Sequence, residues 1–266
     1  MIIPIYQVDA FSDQLFRGNP AAVCPLEFWL SDDLLQNIAT ENNLSETAFF
    51  RKKDNLYEIR WFTPVAEVEL CGHSTLAAAH VLFNHLNFKG DHLTFDSTYS
   101  GKLHVTRRNN WLTLDFPVDT IEPALPPDHL FESLKSRPQE VWRGKTDYLL
   151  YYPAQEDIEE INPDFGMLNK VDTRGIIITA PGYDCDFVSR FFAPKVGVNE
   201  DPVTGSAHTS LVPFWAHRLN KSEFEARQLS LRGGFLKCQL RGDRVLISGE
   251  ASTYLTGSIN IVSAVL

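Results

Sequence analysis

Glu200-Asp201-Pro202-Val203-Thr204-Gly205-Ser206-Ala207-His208 is the stretch on which the reading of this chain turns. An acidic pair enters a proline turn, then come a glycine and small polar residues, then an apolar segment reaching about Leu219. That order predicts a loop feeding a helix N-terminus, with Gly205 allowing close backbone approach and Ser206 placed to cap orphan N–H groups. Leu211, Val212, Phe214, Trp215, Ala216 and Leu219 surround most of the helix with apolar side chains, as in a buried helix. Its first-turn N–H groups need partners. A ligand carboxylate or phosphate competes with an ordinary cap for that role.

A second copy of the pattern breaks the tie. Arg60-Trp61-Phe62-Thr63-Pro64 precedes Cys71-Gly72-His73-Ser74-Thr75 and the apolar run Leu76 to Leu86. Arg190-Phe191-Phe192-Ala193-Pro194 precedes Thr204-Gly205-Ser206 in the same way. Downstream, Ser100-Gly101-Lys102-Leu103-His104-Val105 is echoed by Gly233-Gly234-Phe235-Leu236-Lys237-Cys238. Order and offset are kept, which predicts a duplicated unit of about half the chain rather than a solenoid of short repeats. Two related halves, each presenting the N-terminus of a buried helix, predict a single cleft for a ligand.

At 266 residues the chain is long enough for a large core in one or two domains. A net charge of −10 argues against nucleic acid and against an anionic membrane surface as partners. No apolar run approaches the roughly 20 residues of a membrane span, and Met1 to Phe11 lacks the basic start of a signal peptide. The four cysteines, Cys24, Cys71, Cys185 and Cys238, show no paired spacing and fit reduced cytoplasmic thiols.

Along the chain, Ile2 to Phe11 reads as a first strand. Ser31-Asp32-Asp33 caps a helix whose Leu34, Leu35, Ile38 and Ala39 share a face and which ends at Glu41-Asn42-Asn43. Leu44 to Phe50 reads as a strand in which alternation puts Glu46 on the face of Leu44, Ala48 and Phe50. An acid on an apolar stripe needs a partner, a proton or a purpose, and desolvation raises its pKa; the plainer alternative is a strand entrance where it reaches water. Glu67 and Glu69 read as a solvated strand face. Asp91 to Phe116 predicts a meander turning at Asn109-Asn110, and proline-rich Thr120 to Pro138 predicts a linker between halves. Lys145 to Pro163 shows no firm period. Arg174 to Ala180 and Phe187 to Ala193 predict buried strands, and further strands close the chain from Leu229 to Leu266.

Several chemistries lack their parts. There is no HExxH and no His/Cys ligand cluster, and Cys71-x-His73 supplies two ligands only, so no metal is expected. Ser206 sits outside any Gly-x-Ser-x-Gly elbow, and neither a dinucleotide fingerprint nor a phosphate loop is present, so no cofactor is expected. What remains is acid–base work by carboxylates and His73 at two helix ends. Cys71, at a helix N-terminus, could act as a base through a depressed pKa. Its counterpart in the repeat is Thr204, so a two-thiol epimerase mechanism lacks one thiol, and a small buried residue is the plainer reading.

The chain resembles the PhzF-like family, named for the phenazine-biosynthesis isomerase, within the diaminopimelate epimerase-like superfamily. The resemblance spans nearly the whole chain. It rests on Gln7-Val8-Asp9-Ala10-Phe11, Gly18-Asn19-Pro20, Asn43-Leu44-Ser45-Glu46-Thr47-Ala48, Phe62-Thr63-Pro64, Cys71-Gly72-His73, Glu200 to Ala207 and Arg232-Gly233-Gly234. It implies an α+β fold of two pseudo-symmetric halves, each a β-sheet wrapped around a central helix. The expected division is 1–117 and 118–254, with the last strand, 255–266, a candidate to join the first half. It further implies a cofactor-free isomerase, often a homodimer, acting on a small carboxylate-bearing substrate by proton transfer at carbon; the cysteines and the missing signal peptide place it in the cytoplasm. The family's catalytic positions fall on Glu46 as acid/base with His73 and Asp201, and its substrate-binding positions on Gly72, Gly205 and Ser206. An amino-acid racemase or epimerase, and a binding protein without turnover, are the two rival classes on the same scaffold.

Overall fold

The computed structural model describes residues 1–261; the expected strand positions 262–266 lie outside the described residues. The chain divides into two compact units, one of Met1–Asp115 with the chain from Ser248 on, the other of Phe116–Ile247.

In the first unit, strand Ile2–Ala10 pairs antiparallel with Ala251–Asn260 on one side and with Asn19–Leu26 on the other. Asn19–Leu26 runs parallel to Glu46–Lys53, which pairs antiparallel with Leu56–Phe62. Leu56–Phe62 in turn lies parallel to His92–Ser97, and the meander continues antiparallel through Gly101–Arg108 to Trp111–Pro117. The parallel steps need crossovers, supplied by helices Asp32–Asn42 and Gly72–Asn84. The second helix is the centre: Ser74, Thr75, Leu76, Ala77, Ala78, Ala79, Val81 and Leu82 are all buried, on more than one face.

The second unit repeats the sequence of pairings. Asp147–Tyr151 is parallel to Gly175–Pro181, which is antiparallel to Phe187–Phe192; that strand is parallel to Glu223–Gln228, which is antiparallel to Gly234–Arg241. Helix His208–Leu219 occupies the place of Gly72–Asn84. The duplication extends to side chains. Arg60 Nε bonds Glu67 at 2.7 Å and the guanidinium lies 5.1 Å from the Phe62 ring, while Arg190 Nε bonds Glu200 at 2.7 Å and lies 4.9 Å from Phe192.

Pro213 inside the helix His208–Leu219 has no N–H, so the Thr209 carbonyl four residues earlier loses its partner. The Asp119 N–H takes that carbonyl at 3.1 Å, and the Asp119 carboxylate accepts Ser210 Oγ at 2.8 Å. The α+β fold is as expected. Several local expectations are corrected. Residues 120–138 form no linker: they carry a short helix, Leu130–Leu134, whose Leu130 and Leu134 are buried in the second unit's core. Ser31 occupies a cap position without a side-chain cap bond. Glu67 is ion-paired to Arg60 rather than solvated. Strand Glu46–Lys53 starts two residues after Leu44 and buries Thr47 and Phe49 as well as Ala48 and Phe50, so alternation does not single out one face. All four cysteines are free, and no helix among the described residues is long and apolar enough to cross a membrane.

Candidate functional site

In the first unit the sheet and the central helix bring three sequence-distant groups together. Glu46 opens its strand, Cys71 is the extended residue (φ −142°, ψ 112°) before the helix, and Gly72 and His73 form the first turn. Glu46 Oε2 lies 3.1 Å from His73 Nε2, and Cys71 Sγ lies 3.5 Å from Nδ1 and 3.9 Å from Nε2 of the same ring. The Asn19 side-chain amide meets Nδ1 at 3.2 Å. His73, Cys71 and Asn19 are buried, and the Glu46 side chain keeps 16% of its exposure.

Burial draws the His73 pKa down, but the charges of Cys71 and Glu46 override it and hold the imidazole well above its usual range. Burial, and then the Glu46 charge, push the Cys71 thiol up. An imidazolium needs an acceptor at each nitrogen, which the Glu46 carboxylate and the amide oxygen of Asn19 provide once that amide is turned to face the ring. The helix's first internal bond is from Thr75 N–H to Cys71 O, so the N–H groups of Gly72, His73 and Ser74 have no partner within the helix.

In the second unit Asp201 and Ser206 sit in one turn but in different networks. The Asp201 carboxylate accepts Thr204 Oγ1 at 2.5 Å. Buried Gln228 ties the turn shut: its Oε1 accepts Thr204 N–H at 2.8 Å and its Nε2 donates to Asp201 O at 2.7 Å. Ser206 Oγ accepts from Arg174 Nη2 at 3.3 Å, and Arg174 is held on the buried Asp147 carboxylate through Nε at 2.9 Å and through Nη2. Ser206 does not cap the helix; the helix begins at His208 after Ala207. The His208, Thr209 and Ser210 N–H groups close on the carbonyls of Gly205, Ser206 and Ala207, a tight three-residue turn that leaves these donors no need of an outside partner.

The structure thus joins Glu46 to His73, with Gly72 adjacent, and joins Asp201 to the Gly205-Ser206 turn. Sequence reasoning missed Arg174, Gln228 and the link from Glu46 to Cys71. Gln228 carried a readable signal, as the polar member of the buried positions Phe224, Ala226 and Gln228 along an alternating strand. Arg174 carried none, because only the fold brings it to Ser206.

His208 is the second unit's buried imidazole. Its Nδ1 donates to Thr204 O at 2.9 Å, and its Nε2 has no hydrogen-bond partner. Burial pushes its pKa down to about 4 against the opposing Thr204 bond, so the ring is neutral. A depressed imidazole withholds a proton that the unfolded chain would bind, so its contribution to stability is present above the unfolded value of about 6.5 and is lost as pH falls toward 4. Chemical unfolding across that window should show a loss on the order of 3 kcal/mol from this residue, and His208→Gln should flatten the slope. An unchanged slope in the variant would remove His208 as its source.

The model of the phenazine biosynthesis-like protein family matches residues 8–257. An uncharacterized isomerase of Pseudomonas aeruginosa is 51% identical over 261 residues, covering 98% of this chain and 100% of that one. The crystal structure of a phenazine biosynthesis protein of the PhzF family from Enterococcus faecalis superposes with a TM-score of 0.95 at 45% identity, over 98% of this chain and 100% of that one. A hydroxyproline epimerase from Agrobacterium vitis has a TM-score of 0.60 at 11% identity over 97% of this chain and 92% of that one, a likeness of fold alone.

Proposed function

The chain belongs to the phenazine biosynthesis-like family, and from that premise we propose that it is a cofactor-independent isomerase moving a proton between carbons of a small carboxylate substrate. The observation that carries the reading is the Glu46 carboxylate, mostly buried and 3.1 Å from His73 Nε2. A general base must hold a lone pair within reach of a C–H bond and return the proton elsewhere on the same molecule. An imidazolium beside it stabilises negative charge as it develops on the substrate. Glu46 is the acid/base, and His73 and Asp201 polarise or orient substrate groups. Gly72, Gly205 and Ser206 are assigned to binding carboxylate. Arg174, held on Asp147 through Nε and Nη2, adds positive charge beside Ser206.

Supporting names come from the relatives: the Pseudomonas aeruginosa protein is called an isomerase. A two-thiol epimerase has less support, because Thr204, the counterpart of Cys71, donates its hydroxyl to Asp201. With an accepted substrate in deuterated water, NMR of the product should show a hydrogen moved between carbons, carried as deuterium wherever the Glu46 proton exchanges before its return. Turnover that leaves every C–H hydrogen in place would sink the proposal.

A further inference from the structure

We propose that Gln228 is a positioning residue for the isomerase reaction, fixing the Asp201 carboxylate as a hydrogen-bond acceptor through the hydroxyl of Thr204. The role of Asp201 rests on the reading above; the chain of hydrogen bonds does not. Gln228 ends the strand Glu223–Gln228, paired with Ser189 on one side and Gly234 on the other, and is 1% exposed. A buried primary amide needs acceptors for two hydrogens and a donor for its oxygen. Two residues of the turn, Asp201 and Thr204, supply all three.

The backbone decides which way this amide faces. Thr204 N–H is a donor, so the amide atom 2.8 Å from it is the oxygen. The nitrogen then faces Asp201 O at 2.7 Å and Thr204 Oγ1 at 3.1 Å, one hydrogen for each. With an N–H aimed at it, Thr204 Oγ1 accepts there and keeps its single proton for another partner. That partner is Asp201 Oδ2, 2.5 Å away. The chain therefore runs in one direction, from Gln228 through Thr204 to Asp201. An Oδ2 with its own proton would set two hydrogens against each other across that short contact, so this oxygen stays an acceptor. A hydroxyl that already accepts a hydrogen bond also donates a stronger one. The turn's backbone has other anchors: Asp201 N–H donates to Phe191 O at 3.0 Å, and Ser230 Oγ donates to Pro202 O at 2.9 Å. What Gln228 adds to them is the direction of the Thr204 proton.

Steady-state kinetics on an accepted substrate test this. Thr204→Val and Gln228→Met should each lower kcat by on the order of tenfold to a hundredfold, the scale of a misplaced group, with KM moving less. Thr204→Ser keeps the hydroxyl and should hold kcat within a few-fold of wild type. In an Asp201→Asn background the acceptor charge is already gone, so neither Thr204→Val nor Gln228→Met should lower kcat further by more than about twofold. A merely structural glutamine would cost the same factor in both backgrounds. That result, or a wild-type kcat in Thr204→Val, would overturn the proposal. If Gln228→Met does not fold, Thr204→Val set against Thr204→Ser decides, and equal kcat values end the proposal. A wild type that moves no hydrogen between carbons takes the isomerase reading down as well. Hydrogen migration in a wild type whose Thr204→Val variant is unimpaired ends this proposal alone.

Discussion

Glu46→Gln should lower turnover by on the order of 10²–10⁴, the range assigned to general acid–base catalysis, while substrate analogues still bind. That is roughly 3–5 kcal/mol of activation free energy. The replacement keeps size and planarity but substitutes an amide, which neither takes a proton from carbon nor returns one. The amide fills the place of the carboxylate, 3.1 Å from His73 Nε2, so the local packing has no reason to rearrange. Cys71→Ala, which removes a protonated thiol, should cost far less. The two variants compared on one substrate decide between mechanisms. If Cys71→Ala abolished turnover and Glu46→Gln left it intact, thiol chemistry would replace the carboxylate reading.

Trp215→Ala should destabilise the protein by about 3–5 kcal/mol, the range for truncating a buried aromatic side chain. The indole is 1% exposed and lies parallel to Phe187 at 5.5 Å, with Phe214 and Tyr151 edge-on at 5.5 and 5.9 Å. Its Nε1 donates to Thr179 Oγ1 at 3.0 Å, so the truncation leaves both a cavity and an acceptor stripped of its donor. At about 2–4 °C per kcal/mol for a chain of this size, melting should fall by on the order of 10 °C. Trp215→Phe should recover part of the loss by refilling volume without the N–H. A melting point within a degree or two of wild type for Trp215→Ala would show that the second unit's core does not depend on the helix His208–Leu219 as described.

The fold was legible where the chain repeats itself. Arg-aromatic-aromatic-x-Pro before a glycine-bearing turn occurs twice, and both copies lead to a central helix flanked by the same succession of parallel and antiparallel pairings. Helix Asp32–Asn42 was readable from Leu34, Leu35, Ile38 and Ala39 because one face meets the core and the other water. Alternation failed at Glu46–Lys53, where a strand buried on both faces carries no period. Residues 120–138 read as a linker because prolines mark irregular backbone wherever it lies, and composition does not say whether Leu130 and Leu134 find a core. The pairing of Glu46 with His73 spans a strand and a helix, and the contact of Arg174 with Ser206 spans 32 residues; such contacts follow from topology, which no local window contains.

The first unit is interrupted in sequence: the chain leaves it at Asp115 and returns at Ser248. Ile2–Ala10 is paired residue for residue with Ala251–Asn260, apart from one irregularity near Gln7. During synthesis at about 5–20 residues per second, the earliest strand therefore emerges roughly 12–50 s before the strand that completes its sheet. All of Phe116–Ile247 is made within that interval, with every residue of its own core already available. Released chains truncated after Ile247 would then hold a complete second unit and a first unit that lacks its last strand. The unit that owns the earliest strand is the last to be completed.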